Sequence, residues 1–189
     1  IAVGWESPGL AGSYGWLENS TGNIYLNNGS NDWRTDPINL PANWFGSNGI
    51  GLDLDTFDFN NDGYVDILLA STTHEPYYHS RVIQFFQNEQ GESFIDVTSS
   101  LSPDHEKYAN GNPYSAWWVG QGKLHIIDYD HDGDLDIVDT NTRTSVFLNN
   151  ESSFNLYDDF VDTDEDVLLW PAEIDGKYHY DFIGSHHQG

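Results

Sequence analysis

Two stretches of the chain set oxygen-bearing side chains at every other residue. In "DYDHDGDLDIVDT", Asp128 to Thr140, the acids Asp128, Asp130, Asp132, Asp134 and Asp136 alternate with other residues, Gly133 interrupts them, and no lysine or arginine falls among them. In "DFNNDGYVDILLA", Asp58 to Ala70, the same places hold Asp58, Asn60, Asp62, Tyr64 and Asp66, with Gly63 where Gly133 stands. The first, third, fifth and ninth residues of such a loop converge on one point if the backbone turns tightly, and glycine at the sixth place permits that turn. The backbone carbonyls of Tyr64 and Asp134, at the seventh place, are natural additional ligands. Carboxylates crowded this way repel one another unless a cation neutralises them. Calcium accepts about six to eight oxygens at flexible angles and suits the set, whereas magnesium demands stricter octahedral geometry. Transition metals prefer nitrogen or sulfur, and the one nearby histidine, His131, stands at the fourth place and is predicted to point outward. The Asp58 loop offers three carboxylates and Asn60 while the Asp128 loop offers four carboxylates, so the second loop is predicted to bind the more tightly.

The same spacing opens an EF-hand, which needs a bidentate glutamate at the twelfth place and flanking helices. The twelfth residues here are Leu69 and Asp139. The segments at the loop exits, "VDILLAS" and "LDIVDTNT", are rich in branched residues and broken by Thr and Asn, which predicts strands.

Each loop must therefore be held by a hairpin. An apolar approach precedes each one, "GIGLDLDTF" (49–57) and "GKLHII" (122–127). An amide-ended aromatic strand recurs as "NIYLNNG" (23–29), "VIQFFQNEQG" (82–91) and "TSVFLNNES" (144–152). The last two lead into "ESFIDVTSS" (92–100) and "SSFNLYDDF" (152–160). No segment offers an amphipathic helix of three turns. Each unit reads as four short strands, and repeated four-stranded units with Gly and Asp at the turns predict blades of a β-propeller. The predicted class is all-β: a partial propeller of four-stranded antiparallel blades, about three blades' worth, in units of about 1–48, 49–121, 122–164 and 165–189. Closure takes about four to eight blades, so a longer chain is expected to supply the rest.

Composition agrees. There are 31 acidic against 6 basic residues, a formal charge of -25, and 15% aromatic residues including seven Trp. Phosphate-rich nucleic acid and anionic membrane surfaces are repelled by such a chain, and divalent cations are attracted. The absence of cysteine excludes disulfides and Cys-ligated metals. No apolar run approaches the length needed to cross a bilayer.

The paired motifs with their "FFQNEQGESFIDVT" and "VFLNNESSFNLYDD" strands resemble the FG-GAP/VCBS repeats that build the propellers of integrin α-subunits, of bacterial secreted proteins and of some fungal lectins. The resemblance covers nearly the whole chain. It implies calcium in a loop joining the first two strands of a blade, an extracellular or cell-surface setting, and a role in adhesion or recognition. Near the end, "PAEIDGKYHYDFIG" keeps Asp175, Gly176 and Asp181 and is expected to carry two extra residues and an incomplete acid set, which argues against a third site.

In a meander, successive turns alternate between the two ends of the strands, so both acidic loops are expected on one face. The other face receives the long segments 71–80, 100–118 and part of 30–49. Loops beyond about 12–15 residues are uncommon unless functional. Their Trp44, Tyr77, Tyr78, Trp117 and Trp118 are candidates for stacking on a sugar or seating a protein ligand, or else for packing between blades. His74, Glu75, His79, His105 and Tyr108 suit the alternative of a scaffold for a polysaccharide lyase.

Overall fold

The computed structural model describes residues 2–4, 21–26, 36–73, 80–102, 123–140, 143–151, 153–161, 167–175 and 180–186. Strands β1 (Ala2–Gly4), β2 (Thr21–Tyr25) and β3 (Ile38–Ala42) form one sheet. A second contains β4 (Gly49–Phe57), β5 (Asp66–Thr73), β6 (Arg81–Glu89) and β7 (Ser93–Asp96). The third contains β8 (Lys123–Ile127), β9 (Asp136–Thr140), β10 (Arg143–Asn149) and β11 (Phe154–Val161). The hairpin of β12 (Val167–Ala172) and β13 (Asp181–His186) makes a fourth. Within every sheet each strand pairs antiparallel with its neighbour in sequence. This is the meander of a propeller blade, and the described residues build a partial β-propeller.

Packing explains why the second strands lack polar alternation. All eight residues of β5 are buried, as are all five of β9, because sheets cover both faces of these strands. Leu68 and Ala70 of β5, with Ile83 and Phe85 of β6, join Leu124, Ile137, Phe147 and Phe154 of the third sheet in one core. Ile67, Leu69 and Phe86 point the other way, to Ile24 and Leu40 of the first sheet. The two-residue period of the strand thus feeds two interfaces at once. Phe85 and Phe154 meet across the first interface with ring centroids 5.0 Å apart, and Phe57 meets Phe154 edge-on at 6.1 Å. Burying each such ring stabilises the blade pair by about 1.5–3 kcal/mol.

Polar contacts add register between blades. Asp53 of β4 accepts the Leu124 N–H at 2.8 Å and the Lys123 ammonium at 3.0 Å. Gln84, fully buried in β6, accepts the Trp44 N–H at 2.8 Å and donates to the Ala42 carbonyl at 3.1 Å, which pins the link from β3 to β4. The segment 92–100 differs from a simple fourth strand. Pairing stops at Asp96, whose carboxylate accepts the Thr98 N–H at 2.9 Å, and one helical turn, α1 (Thr98–Leu101), comes next.

Candidate metal centre

Both acidic loops close the hairpin between the first and second strands of a blade. Phe57 pairs with Asp66, and Ile127 pairs with Asp136, so each connection spans the same eight residues. The fourth and sixth places turn left-handed: Asn61 has φ 57° and Gly63 φ 91°, and His131 has φ 62° and Gly133 φ 101°. Asn tolerates this region, and at the sixth place a side chain would be strained. Side-chain oxygens then cap the backbone of the turn. Asn60 accepts the Asp62 N–H at 3.0 Å and Asp62 the Tyr64 N–H at 2.8 Å. In the second loop Asp130 accepts the Asp132 N–H at 3.2 Å and Asp132 the Asp134 N–H at 2.9 Å.

The ninth-place acids are the buried floor. Asp66 accepts the Phe59 N–H at 3.1 Å and the Asn88 N–H at 2.7 Å. Asp136 likewise accepts Tyr129 N–H at 2.7 Å and Asn149 N–H at 2.8 Å. Burial pushes the Asp66 carboxyl up to about 6 despite these two donors, with Asp62 and Asp58 adding repulsion. Burial likewise raises Asp136.

The amides of Asn88 and Asn149 complete the floor by donating to the Val65 carbonyl at 2.9 Å and the Leu135 carbonyl at 3.3 Å. Motif spacing alone does not mark these two residues as part of the site. Their signal in the sequence is the amide ending of the recurring aromatic strand, which is what clamps the loop exit.

The loops differ at their centres. Ligand oxygens of Asp128, Asp130 and Asp136 lie within 4.8 Å of one another. One oxygen of Asp128, Oδ1, is buried with no hydrogen-bond partner. A buried carboxylate oxygen without a donor is costly, and a cation is the partner its chemistry asks for. In the first loop both oxygens of Asp58 are taken, by the N–H groups of Asp62 at 3.0 Å and Gly63 at 2.8 Å. The Asn60 amide donates to Asp62 at 2.9 Å, so neutral donors there do part of what a cation would do. Asp132 lies on the exposed rim of the second loop, and Tyr64 and Asp134 contribute backbone at the seventh place. The all-oxygen, carboxylate-rich donor set fits calcium.

A third loop of the same length comes after β12. Ala172 pairs with Asp181, and the Ile174 N–H donates to Asp181 Oδ2 at 3.2 Å, as Phe59 does to Asp66 and Tyr129 to Asp136. Glu173 therefore stands at the first place and Asp175 at the third. The two extra residues follow from reading Asp175 and Gly176 as the fifth and sixth places; with Ala172 paired to Asp181 they fall at the third and fourth, and no residues are added. In this register the sequence puts Lys177 at the fifth place and Tyr178 at the sixth, a positive charge and a side chain where the other loops have Asp and Gly.

The EF-hand's twelfth place is used otherwise. Leu69 is buried in the core towards the first sheet, and Asp139 lies in β9 against Arg81. His131, exposed at the fourth place, lies against Tyr180 and Glu173 of the third loop.

Among the aromatic residues considered for ligand binding, Trp44 is half-buried in the turn between β3 and β4, at the end of β4 away from the acidic loop. Tyr77, Tyr78, Trp117 and Trp118 lie outside the described residues, as do His74, Glu75, His79, His105 and Tyr108.

Four-stranded meander blades with an oxygen-lined loop between their first and second strands define a propeller of the acidic-loop type. Residues 58–139, from the first acidic loop to the second strand of the next blade, match the family model of the FG-GAP-like repeat. No curated protein and no solved structure matches the chain. Among the described residues, no helix is long and apolar enough to cross a membrane.

Proposed function

We propose that the chain is part of an extracellular or cell-surface β-propeller that recognises a glycan or protein ligand, with calcium as a structural element of its acidic loops. The observation that carries the calcium reading is the convergence of Asp128, Asp130 and Asp136 around an unpartnered Asp128 oxygen. The units 1–48, 49–121, 122–164 and 165–189 act as successive blades, completed by further blades of a longer chain. Asp58, Asn60, Asp62, Asp66 and the Tyr64 carbonyl would hold one ion. Asp128, Asp130, Asp132, Asp136 and the Asp134 carbonyl would hold the other. Bound calcium supplies charge neutralisation. The chain's own residues supply the rigid hairpin, the amide clamp and the blade contacts. Because the ligands are brought together only in the folded state, ion binding adds to folding stability, by about 2.7 kcal/mol at a hundredfold excess over Kd. Recognition is assigned to the opposite face, where Trp44 sits at a blade junction.

The test combines thermal melting in calcium and in EDTA with a glycan array read in both conditions. The proposal expects a higher melting temperature in calcium, and ligand capture that is lost with chelator and leaves the sugar intact. Identical melts would contradict the calcium role. Release of unsaturated sugar products would replace recognition by lyase chemistry.

A further inference from the structure

The Asp128 loop touches the next unit through two rings that alternate with its acids. Tyr129, at the second place, lies against Tyr180 with ring centroids 6.0 Å apart and planes 14° from parallel. His131, at the fourth place, stacks on the same Tyr180 at 5.6 Å and 9°. Its Nε2 is 3.8 Å from the carboxylate of Glu173. Tyr180 immediately precedes β13 and Glu173 is the first residue after β12, so the contacts grip the base of that hairpin. Among the described residues, β12 and β13 pair in a sheet only with each other.

The first loop shows that the second place is a junction position. Phe59 stands there, buried in the core shared by the second and third sheets and 5.7 Å from Phe85. Asn61, at the fourth place, is exposed. The second loop keeps the junction role for Tyr129 and adds His131 to it.

We infer that cation capture by the Asp128 loop fastens the β12–β13 hairpin to the preceding blade, with Tyr180 as the catch that Tyr129 and His131 hold. The order Asp128, Tyr129, Asp130, His131, Asp132 puts each ring on backbone that also carries an acid on either side, so a shift of the loop backbone moves rings and acids together. With no cation, repulsion between Asp128, Asp130 and Asp136 favours opening of the loop and lets the two rings drift off Tyr180. With a cation, the oxygens are drawn to one point and the rings are fixed where Tyr180 meets them. The inference rests on the calcium reading proposed above.

The experiment is hydrogen–deuterium exchange on the full chain, with calcium and with EDTA, beside a calorimetric calcium titration. Variants are Tyr180→Ala and His131→Asn, the latter giving the fourth place the residue the first loop already has. In the wild type, calcium should slow exchange in β12 by roughly fivefold to a hundredfold, the range two aromatic contacts support. Both variants should still bind calcium at the Asp128 loop and lose that slowing. If calcium protects residues 128–136 but leaves β12 exchange unchanged, the clasp is overturned and the calcium site stands. Persistence of the β12 response in His131→Asn and Tyr180→Ala would also overturn it. An absence of calcium binding anywhere would overturn both readings together.

Discussion

Arg81 and Asp139, 58 residues apart in sequence, meet as a two-point ion pair buried between consecutive blades. Arg81 Nε lies 2.6 Å from Asp139 Oδ2, and the two side chains keep only 5% and 6% of their surface. Desolvation offsets much of the attraction in such a pair, but removing one partner strands the other charge. Asp139→Ala should therefore lower stability by about 3–5 kcal/mol in urea denaturation, and Arg81→Met with Asp139→Leu together should cost clearly less. Equal losses in the single and double variants would contradict this account of the junction.

Asn88 links loop and blade in a second way. Its amide holds the Val65 carbonyl at the loop exit and its N–H holds Asp66. Asn88→Ala keeps the N–H and loses two side-chain hydrogen bonds, to the Val65 carbonyl and from the Gly91 N–H at 2.7 Å, so stability should fall by about 1–3 kcal/mol. Calcium affinity of the Asp66 loop should weaken with it, while the Asp128 loop is unaffected. A titration resolving both sites checks the difference.

Asp66 gives the metal-free protein a pH dependence of definite sign. Its carboxyl titrates at about 6 in the fold against an ordinary 3.8, with burial as the main cause. Between those values the folded state holds a proton that the unfolded chain has released, so stability from this group falls as pH rises from about 4 to about 6. The loss approaches about 3 kcal/mol above that window. Calcium needs the ionised carboxylate, so its affinity at this loop should fall as pH drops below about 6, and binding should release protons. Comparing wild type with Asp66→Asn in chelator, across pH 4–7, isolates the effect. A flat difference would remove it.

His125 acts in the opposite direction. Burial lowers its imidazole from the ordinary 6.5, although Asp53, Asp139 and Asp55 pull the other way and Lys123 adds to the lowering. The unfolded chain then takes up a proton that the folded state refuses, so stability drops as pH falls below about 6.5. His125→Gln should flatten that part of the profile, which urea denaturation at pH 5 and pH 7 would show.

The acidic loops and their hairpins are legible in the sequence because they are local. Alternate oxygens, a glycine at the sixth place and the branched residues after it are properties of a dozen neighbouring positions. Relations across blades are not legible. Asp139 reads as one more acid of its cluster, yet it serves an arginine in another sheet. Aligning Asp175 and Gly176 with the Asp-Gly pairs of the other loops puts the third loop out of register, whereas the pairing of Ala172 with Asp181 fixes where the loop begins. Asn88 and Asn149 show as a repeated ending whose purpose depends on a loop more than ten residues earlier.

The most direct test of the central claim is a calorimetric titration of calcium into chelator-treated protein, beside the Asp130→Ala variant. Two binding events should appear, the tighter belonging to the Asp128 loop, and Asp130→Ala should abolish the tighter and leave the weaker. Superimposable isotherms for the two proteins, or no heat of binding in either, would contradict it.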